Sequence, residues 1–237
     1  MLATKKKFSE QFKLDSSHEF NNTNSRQRFF EPRSLIKRQG DLTDSVYFLE
    51  SGFLALSKTA SNGRRQIINF IFPGEYCGIT KRDHFAFDIE CLSFASLRTI
   101  SKDHFENTLH SNSTLMKKIY EQQVYWNDGL EELIFLLGAK STEEKIASFL
   151  IFLNIRQYRY LQDPLYKEIP LSRTDIGDFL GMRVETVSRT LTKLRKLNAI
   201  KFYGNNRIKI LDFSLLVKIA ELEDPWNYWD QRCTHQS

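Results

Sequence analysis

The stretch LSRTDIGDFLGMRVETVSRTLTKLRK, from Leu171 to Lys196, constrains the fold more than any other part of the chain. Ser172 precedes a helical run and Asp175 follows three residues later, a capping arrangement with Asp in place of the usual Glu. Ile176, Phe179 and Leu180 form one apolar face, and Gly181 suits the left-handed position that ends a helix. A second helix follows, with Val187, Leu191 and Leu194 facing inward. Gly177 is small where two crossing helices must approach closely. The spacing Gly177, Gly181, Val187 predicts a helix-turn-helix, whose second helix lies in the major groove of DNA.

The outward face of that second helix carries Arg183, Glu185, Thr186, Ser188, Arg189 and Lys193. Three- and four-residue steps bring Glu185, Ser188 and Arg189 to one side. Arg can bond guanine O6 and N7 together, Glu can accept from cytosine N4, and Ser serves several bases. These three are the candidate base readers. Next, Ile200, Phe202, Ile208 and Ile210 alternate around Gly204, Asn205 and Asn206, which predicts a β-hairpin wing. Leu165 to Ile210 holds ten Lys or Arg and four Asp or Glu, a surplus of 6 against +5 for the whole chain. Basic charge is therefore concentrated here. A merely solvated helix face would explain the charge but not its coincidence with the helix pair and the wing.

Upstream the texture changes. Residues 1–28 are polar and read as a mobile arm with room for a short helix. From 29 to 112, short apolar segments alternate with turn signals such as Ser61-Asn62-Gly63, which predicts a small β-barrel or sandwich. Over 113–137 the period switches. Met116, Ile119, Gln123, Trp126, Leu130, Leu133 and Leu137 recur at alternating three- and four-residue steps, a 3.5 repeat that predicts a two-helix dimer seam. A helix packed on its own barrel is the competing reading. Gly138 stops that helix, Ser141 and Glu144 cap the next, and the expected domain boundary lies near 137–141, with 138–237 forming the last domain.

The three cysteines, Cys77, Cys91 and Cys233, show no CxxC spacing, which favours a reducing cytoplasm over a disulfide framework. The basic N-terminus lacks the apolar region of a signal peptide. No apolar run approaches the roughly 18 residues of a membrane span.

These residues resemble the Crp/Fnr family of bacterial transcription regulators over nearly the whole chain. LSRTDIGDFLGMRVETVSRTLTKLRKLNAI is similar to the family's winged helix-turn-helix, and LLGAKSTEEKIASFL to the hinge and following helix of the Fnr branch. The resemblance implies an α+β fold: an N-terminal β-roll of the cyclic-nucleotide-binding jelly-roll type, a long dimerisation helix and a C-terminal winged helix-turn-helix. Glu185, Ser188 and Arg189 match the E-x-x-S-R pattern of the Fnr branch, implying a homodimer on a TTGAT-like inverted repeat, with the roles of activator and repressor both open. Ser172, Arg173 and Thr186 would hold phosphates, with Arg183, Lys193 and Arg207 as further phosphate candidates. Arg183 stands where Ser or Thr usually caps the recognition helix, and a phosphate contact would compensate. RNA polymerase is an expected partner, a membrane is not.

The sensor end departs from the family. Ile79 stands at the ribose-binding Glu, and FAFDIECLSF carries no Arg-Ser pair, so cyclic AMP in the family's usual pose is not expected. The arm has no cysteine, so a four-cysteine iron–sulfur cluster within one chain is excluded. Haem stays open, with His18, His84, His104 and His110 as candidate ligands, and no metal site is otherwise indicated. Cys77 and Cys91 read as buried and inert rather than redox-active. A ligand-binding module acting on a protein partner is the rival reading. No nucleophile–base pair, metal spacing or P-loop suggests an enzyme.

Overall fold

The computed structural model describes residues 20, 25–160, 168–169, 171–204 and 207–223. His18, Asn205, Asn206, Cys233 and most of the expected arm lie outside the described residues. The chain falls into two compact units, Met1–Trp126 and Asn127–Ser237.

The first unit contains strands β1 (Ser25–Phe30), β2 (Leu35–Lys37), β3 (Ser45–Ser51), β4 (Leu54–Thr59), β5 (Arg65–Ile71), β6 (Tyr76–Cys77), β7 (Asp88–Cys91) and β8 (Ala95–Ser101). They form two four-stranded antiparallel sheets, in the orders β1-β8-β3-β6 and β2-β7-β4-β5. This is the expected β-roll. Strand β1 starts at Ser25, inside the segment read as an arm, and Phe20 is buried against Tyr76 and Phe105. The polar run Asn21–Gln27 hid this, because one exposed edge strand needs little apolar sequence. The predicted turn joins β4 to β5, with Gly63 at φ +80°.

Residues of both sheets meet in one core: Tyr47, Leu49 and Leu97 from the first sheet, Leu54, Leu56, Ile71 and Ile89 from the second. The alternate residues Val46, Phe48 and Ile100 point to the other face of the first sheet. There they pack on α1 (Lys102–Ser111) through Phe105, and on α2 (Ser113–Ala139) through Leu115 and Ile119. Burial on both faces explains why β3 reads as an unbroken apolar run. On the same outer face Glu50 accepts hydrogen bonds from Arg98, Gln27 and Ser96. Burial opposes its ionisation, but those donors outweigh it and hold the carboxyl below its ordinary range.

Helix α2 contains the division between the two units, and the break between α2 and α3 falls near the expected 137–141. The second unit continues with α3 (Thr142–Tyr160), β9 (Glu168–Ile169), α4 (Arg173–Leu180), α5 (Val184–Lys196), β10 (Ile200–Tyr203), β11 (Arg207–Ile210) and α6 (Phe213–Ile219). Its core joins Phe149 and Phe152 of α3 to Phe179 of α4, with ring centroids 4.8 and 6.3 Å apart. Lys140, between α2 and α3, donates to the Ala220 carbonyl at the end of α6 (2.6 Å) and to Ser148 (3.1 Å). Among the described residues no helix is long and apolar enough to cross a membrane.

The turn between β3 and β4 depends on Gly52. Its φ is +101°, and a Cβ there would lie 2.5 Å from the Phe94 carbonyl oxygen. Gly63 also has positive φ, but a Cβ there meets nothing within 4 Å. Gly52→Ala should therefore cost about 3 kcal/mol, strain and overpacking together, and Gly63→Ala only about 1 kcal/mol. Urea unfolding of the two variants checks the difference.

Candidate nucleic-acid interface

The interface begins with a cap. Ser172 Oγ accepts from the Asp175 amide (3.1 Å) while Asp175 Oδ2 accepts from the Ser172 amide (3.1 Å), the reciprocal box expected at the start of α4. The helix ends at Gly181 in the left-handed region, φ +63°. The Met182 amide then donates back to the Gly177 carbonyl (2.9 Å). A Cβ on Gly177 would come within 2.7 Å of the Met182 carbonyl oxygen, so only glycine permits this tight turn. Val187, Leu191 and Leu194 of α5 are buried and Ile176, Phe179 and Leu180 of α4 meet them in the core.

With that side buried, the opposite side of α5 is left to solvent. Glu185 and Arg189 are exposed and Ser188 is half-buried beside them. Lys196 continues the same line of three- and four-residue steps and is also exposed, a residue the sequence reading passed over. Thr192 lies between and donates to the Ser188 carbonyl (2.8 Å). Arg183 is the N-cap and its side chain makes no capping bond. Thr186, in the first turn, is half-buried. The helix N-terminus and the Arg183 guanidinium stand together, an arrangement that favours an anion.

Three phosphate candidates are engaged elsewhere. Lys193 pairs with Glu143 in the first turn of α3, Nζ lying 2.5 and 2.7 Å from the carboxylate oxygens. Ser172 is committed to its capping box. Arg173 lies over the Phe202 ring, 5.2 Å from its centroid, and Arg195 lies over the same ring at 5.5 Å. Arg195 had no assigned role in the sequence; its contact depends on a strand that the helix period cannot reveal.

The wing forms as expected, with β10 and β11 antiparallel and Ile200 and Ile208 buried on its inner face. Strand β9 adds a third member beside β11, from a segment the sequence reading left unassigned. Tyr203 and Arg207 are cross-strand partners on the outer face. Lys201 and Lys209 lie 5.2 and 5.9 Å from the Tyr203 ring, so that face is cationic.

At the sensor end the core is apolar. Phe85, in the segment that carries no arginine–serine pair, is buried in the core, and Ile79 packs against the cluster of Phe48 and Tyr76. Cys77 and Cys91 are both buried. Burial pushes the Cys77 thiol far up and that of Cys91 to about 11, so neither is a thiolate at neutral pH. Of the haem candidates, His84 and His110 are exposed and His104 is half-buried. Among the described residues no three His, Cys, Asp or Glu side chains gather to hold a metal ion.

Comparison with known proteins accounts for both units. A Crp-like helix-turn-helix domain matches residues 144–219 and a cyclic nucleotide-binding domain matches 27–112. The nitrogen fixation regulation protein FixK of Bradyrhizobium diazoefficiens is 30% identical over 194 residues, 82% of this chain and 81% of that protein. The chain belongs to the Crp/Fnr family of transcription regulators. Within the family it is also similar to the transcriptional activator protein FnrL of Cereibacter sphaeroides, 27% identical over 197 residues, 81% of this chain and 79% of that one. The structure of FixK2 from Bradyrhizobium japonicum superposes with a TM-score of 0.72 at 25% identity, covering 82% of this chain and 96% of the other. These relatives regulate transcription, and this Crp/Fnr member is a DNA-binding regulator rather than an enzyme.

The Lys193–Glu143 pair makes a measurable claim. A lysine that neutralises a phosphate adds about 0.9 to the slope of log affinity against log salt. Lys193→Met should reduce that slope by less than the full increment, because Glu143 competes with a phosphate for its charge. Filter binding across a salt series decides it, and a slope reduced by the full increment would return Lys193 to the phosphate contacts.

Proposed function

We propose that this regulator is a homodimeric transcription activator that reads a TTGAT-like inverted repeat through Glu185, Ser188 and Arg189. The observation that carries the reading is the division of α5: one side fully buried, the other presenting these three side chains beside Lys196. Arg183, at a helix N-terminus without a side-chain cap, supplies the first phosphate contact. Thr186 and the wing residue Arg207 supply further ones. Arg173 reaches a phosphate only as far as its stacking on Phe202 allows, and Ser172 contributes chiefly by capping α4. The names of the activators among its relatives support activation, which requires contact with RNA polymerase.

Dimerisation falls to α2, but in a different phase from the one the sequence suggested. Ile119 is buried in the β-roll's outer cluster, and Trp126 packs against the β-roll core of its own chain. Gln122 fastens the same side of the helix, accepting from the Tyr76 amide (2.8 Å) and donating to its carbonyl (2.7 Å). Leu133 and Leu137 are half-buried. What remains exposed is Met116, Tyr120, Gln123, Asn127, Leu130 and Ile134, a 3.5 repeat in its own right, flanked by Val124 and Phe135. Tyr120 is 68% and Ile134 71% exposed in the single chain, which suits a seam awaiting a second copy. Two recognition helices related by that seam match half-sites about 34 Å apart. A signal received at the β-roll would shift the dimer between aligned and misaligned states; the apolar residues at Ile79 and Phe85 argue against cyclic AMP in the family's usual pose, and no resident group is proposed.

Arg189→Ala should lose discrimination between the palindrome and a scrambled duplex, by about 1–3 kcal/mol per half-site, while salt-dependent nonspecific binding persists. A competition gel shift in which mutant and parent discriminate equally would refute the base-reading role. Ile134→Glu should convert the dimer to a monomer in sedimentation velocity without loss of helical circular dichroism. An unchanged dimer would move the seam off this face; Trp126 is no substitute probe, since a charge there disrupts the β-roll.

A further inference from the structure

The interior face of the first sheet changes character along its strands. On β8 it runs Ala95, Leu97, Thr99, Ser101; on β3, Leu49, Tyr47, Ser45; on β1, Phe30, Arg28, Arg26. Cross-strand register sets these residues side by side: Arg28 opposite Leu97, Arg26 opposite Thr99, Thr99 opposite Tyr47, Ser45 opposite Ser101. The apolar core thus gives way to hydroxyls and guanidinium groups at one end of the roll. At that end lies a hollow of about 360 Å³ lined by Ser25, Arg26, Arg28, Ser45, Thr99, Ser101 and His104.

Three features of the hollow point to one class of ligand. Among the described residues no carboxylate lines it, although two arginines and a histidine do. Among the described residues neither Arg26 nor Arg28 forms an ion pair, while the nearby Asp44 is taken by Lys37 (2.9 Å) and by the Ser45 side chain. The Thr99 hydroxyl is buried in the wall and has no hydrogen-bond partner. A buried hydroxyl left unbonded costs free energy, and two guanidinium groups without a carboxylate partner among the described residues favour an anion. Guanidinium pairs two residues apart on one strand face suit oxyanions with several acceptor oxygens. None of the lining residues comes from the Cys77–Thr80 turn or the Phe85–Phe87 segment, so this is a separate place from the family's ribose and phosphate positions.

We propose that this hollow is a binding site for a compact phosphate-bearing small molecule, held by Arg26 and Arg28 with the hydroxyl of Thr99. Bound there, the ligand ties β1 to β3 and β8. The site stands apart from the DNA reading and neither depends on the other.

The test is calorimetric titration of the full chain with pyrophosphate and with inorganic phosphate, at constant ionic strength set by sodium chloride. Saturable binding of pyrophosphate is expected, weaker for the monophosphate. The double variant Arg26→Ser, Arg28→Ser should bind at least about tenfold more weakly, with an unaltered melting curve in the absence of ligand. The variant Arg183→Ser, Arg189→Ser, altered on the DNA face, should keep the saturable pyrophosphate binding that the Arg26 and Arg28 variant loses. Amide shifts in a parallel NMR titration of the unmutated chain should cluster at residues 25–28, 45 and 99–104, which keeps the test valid should the double variant not fold. Unsaturable binding, full retention in the Arg26 and Arg28 variant, or shifts confined to the recognition helix would each overturn the proposal.

Discussion

The contact between Gly177 and the Met182 backbone sets the DNA-binding unit. Two helices can turn back on each other this sharply only where one side chain is absent and the next residues adopt a left-handed bend. Gly177 supplies the first condition and Gly181, at φ +63°, the second. Once the turn is made, Val187, Leu191 and Leu194 have nowhere to go but inward, and the amphipathic period of α5 carries Glu185, Ser188 and Arg189 outward. Exposure of this face is thus a consequence of burial on the other side, held by a backbone approach of a few ångströms.

The same division of labour recurs on α2, with a different outcome. One side of this helix serves the β-roll of its own chain through Leu115, Ile119, Gln122 and Trp126. The other side keeps large apolar residues in water. A helix with two apolar faces carries two overlapping heptad-like series, offset by one residue at alternate positions. Burying the first series is intramolecular and requires no partner; only the second can be explained by association.

Charge on the second unit is likewise partitioned by packing rather than by sequence position. The surplus of Lys and Arg between 165 and 210 is real, but its members do different work. Lys193 holds α5 to α3 through Glu143, Arg173 and Arg195 bracket Phe202, and Lys201 and Lys209 flank Tyr203. Arg183 and Arg189 remain available at the recognition helix. A basic stretch is therefore a reservoir from which the fold selects its DNA contacts.

Local chemistry specified the helix-turn-helix, its capping box, the turn at Gly63, the wing and the order of short strands, long helix and reader, because each depends on residues within one or two turns of chain; the β-roll itself was implied by the family resemblance. Nothing local could show that β1 begins at Ser25, that β9 joins the wing, or that Ile119 and Trp126 belong to the roll, since each is decided by a partner dozens of residues away. Periodicity states that a side chain is apolar and which way it points on its own helix. Which surface it meets is settled only when the two sheets close, because burial is a property of the assembled fold and not of the segment.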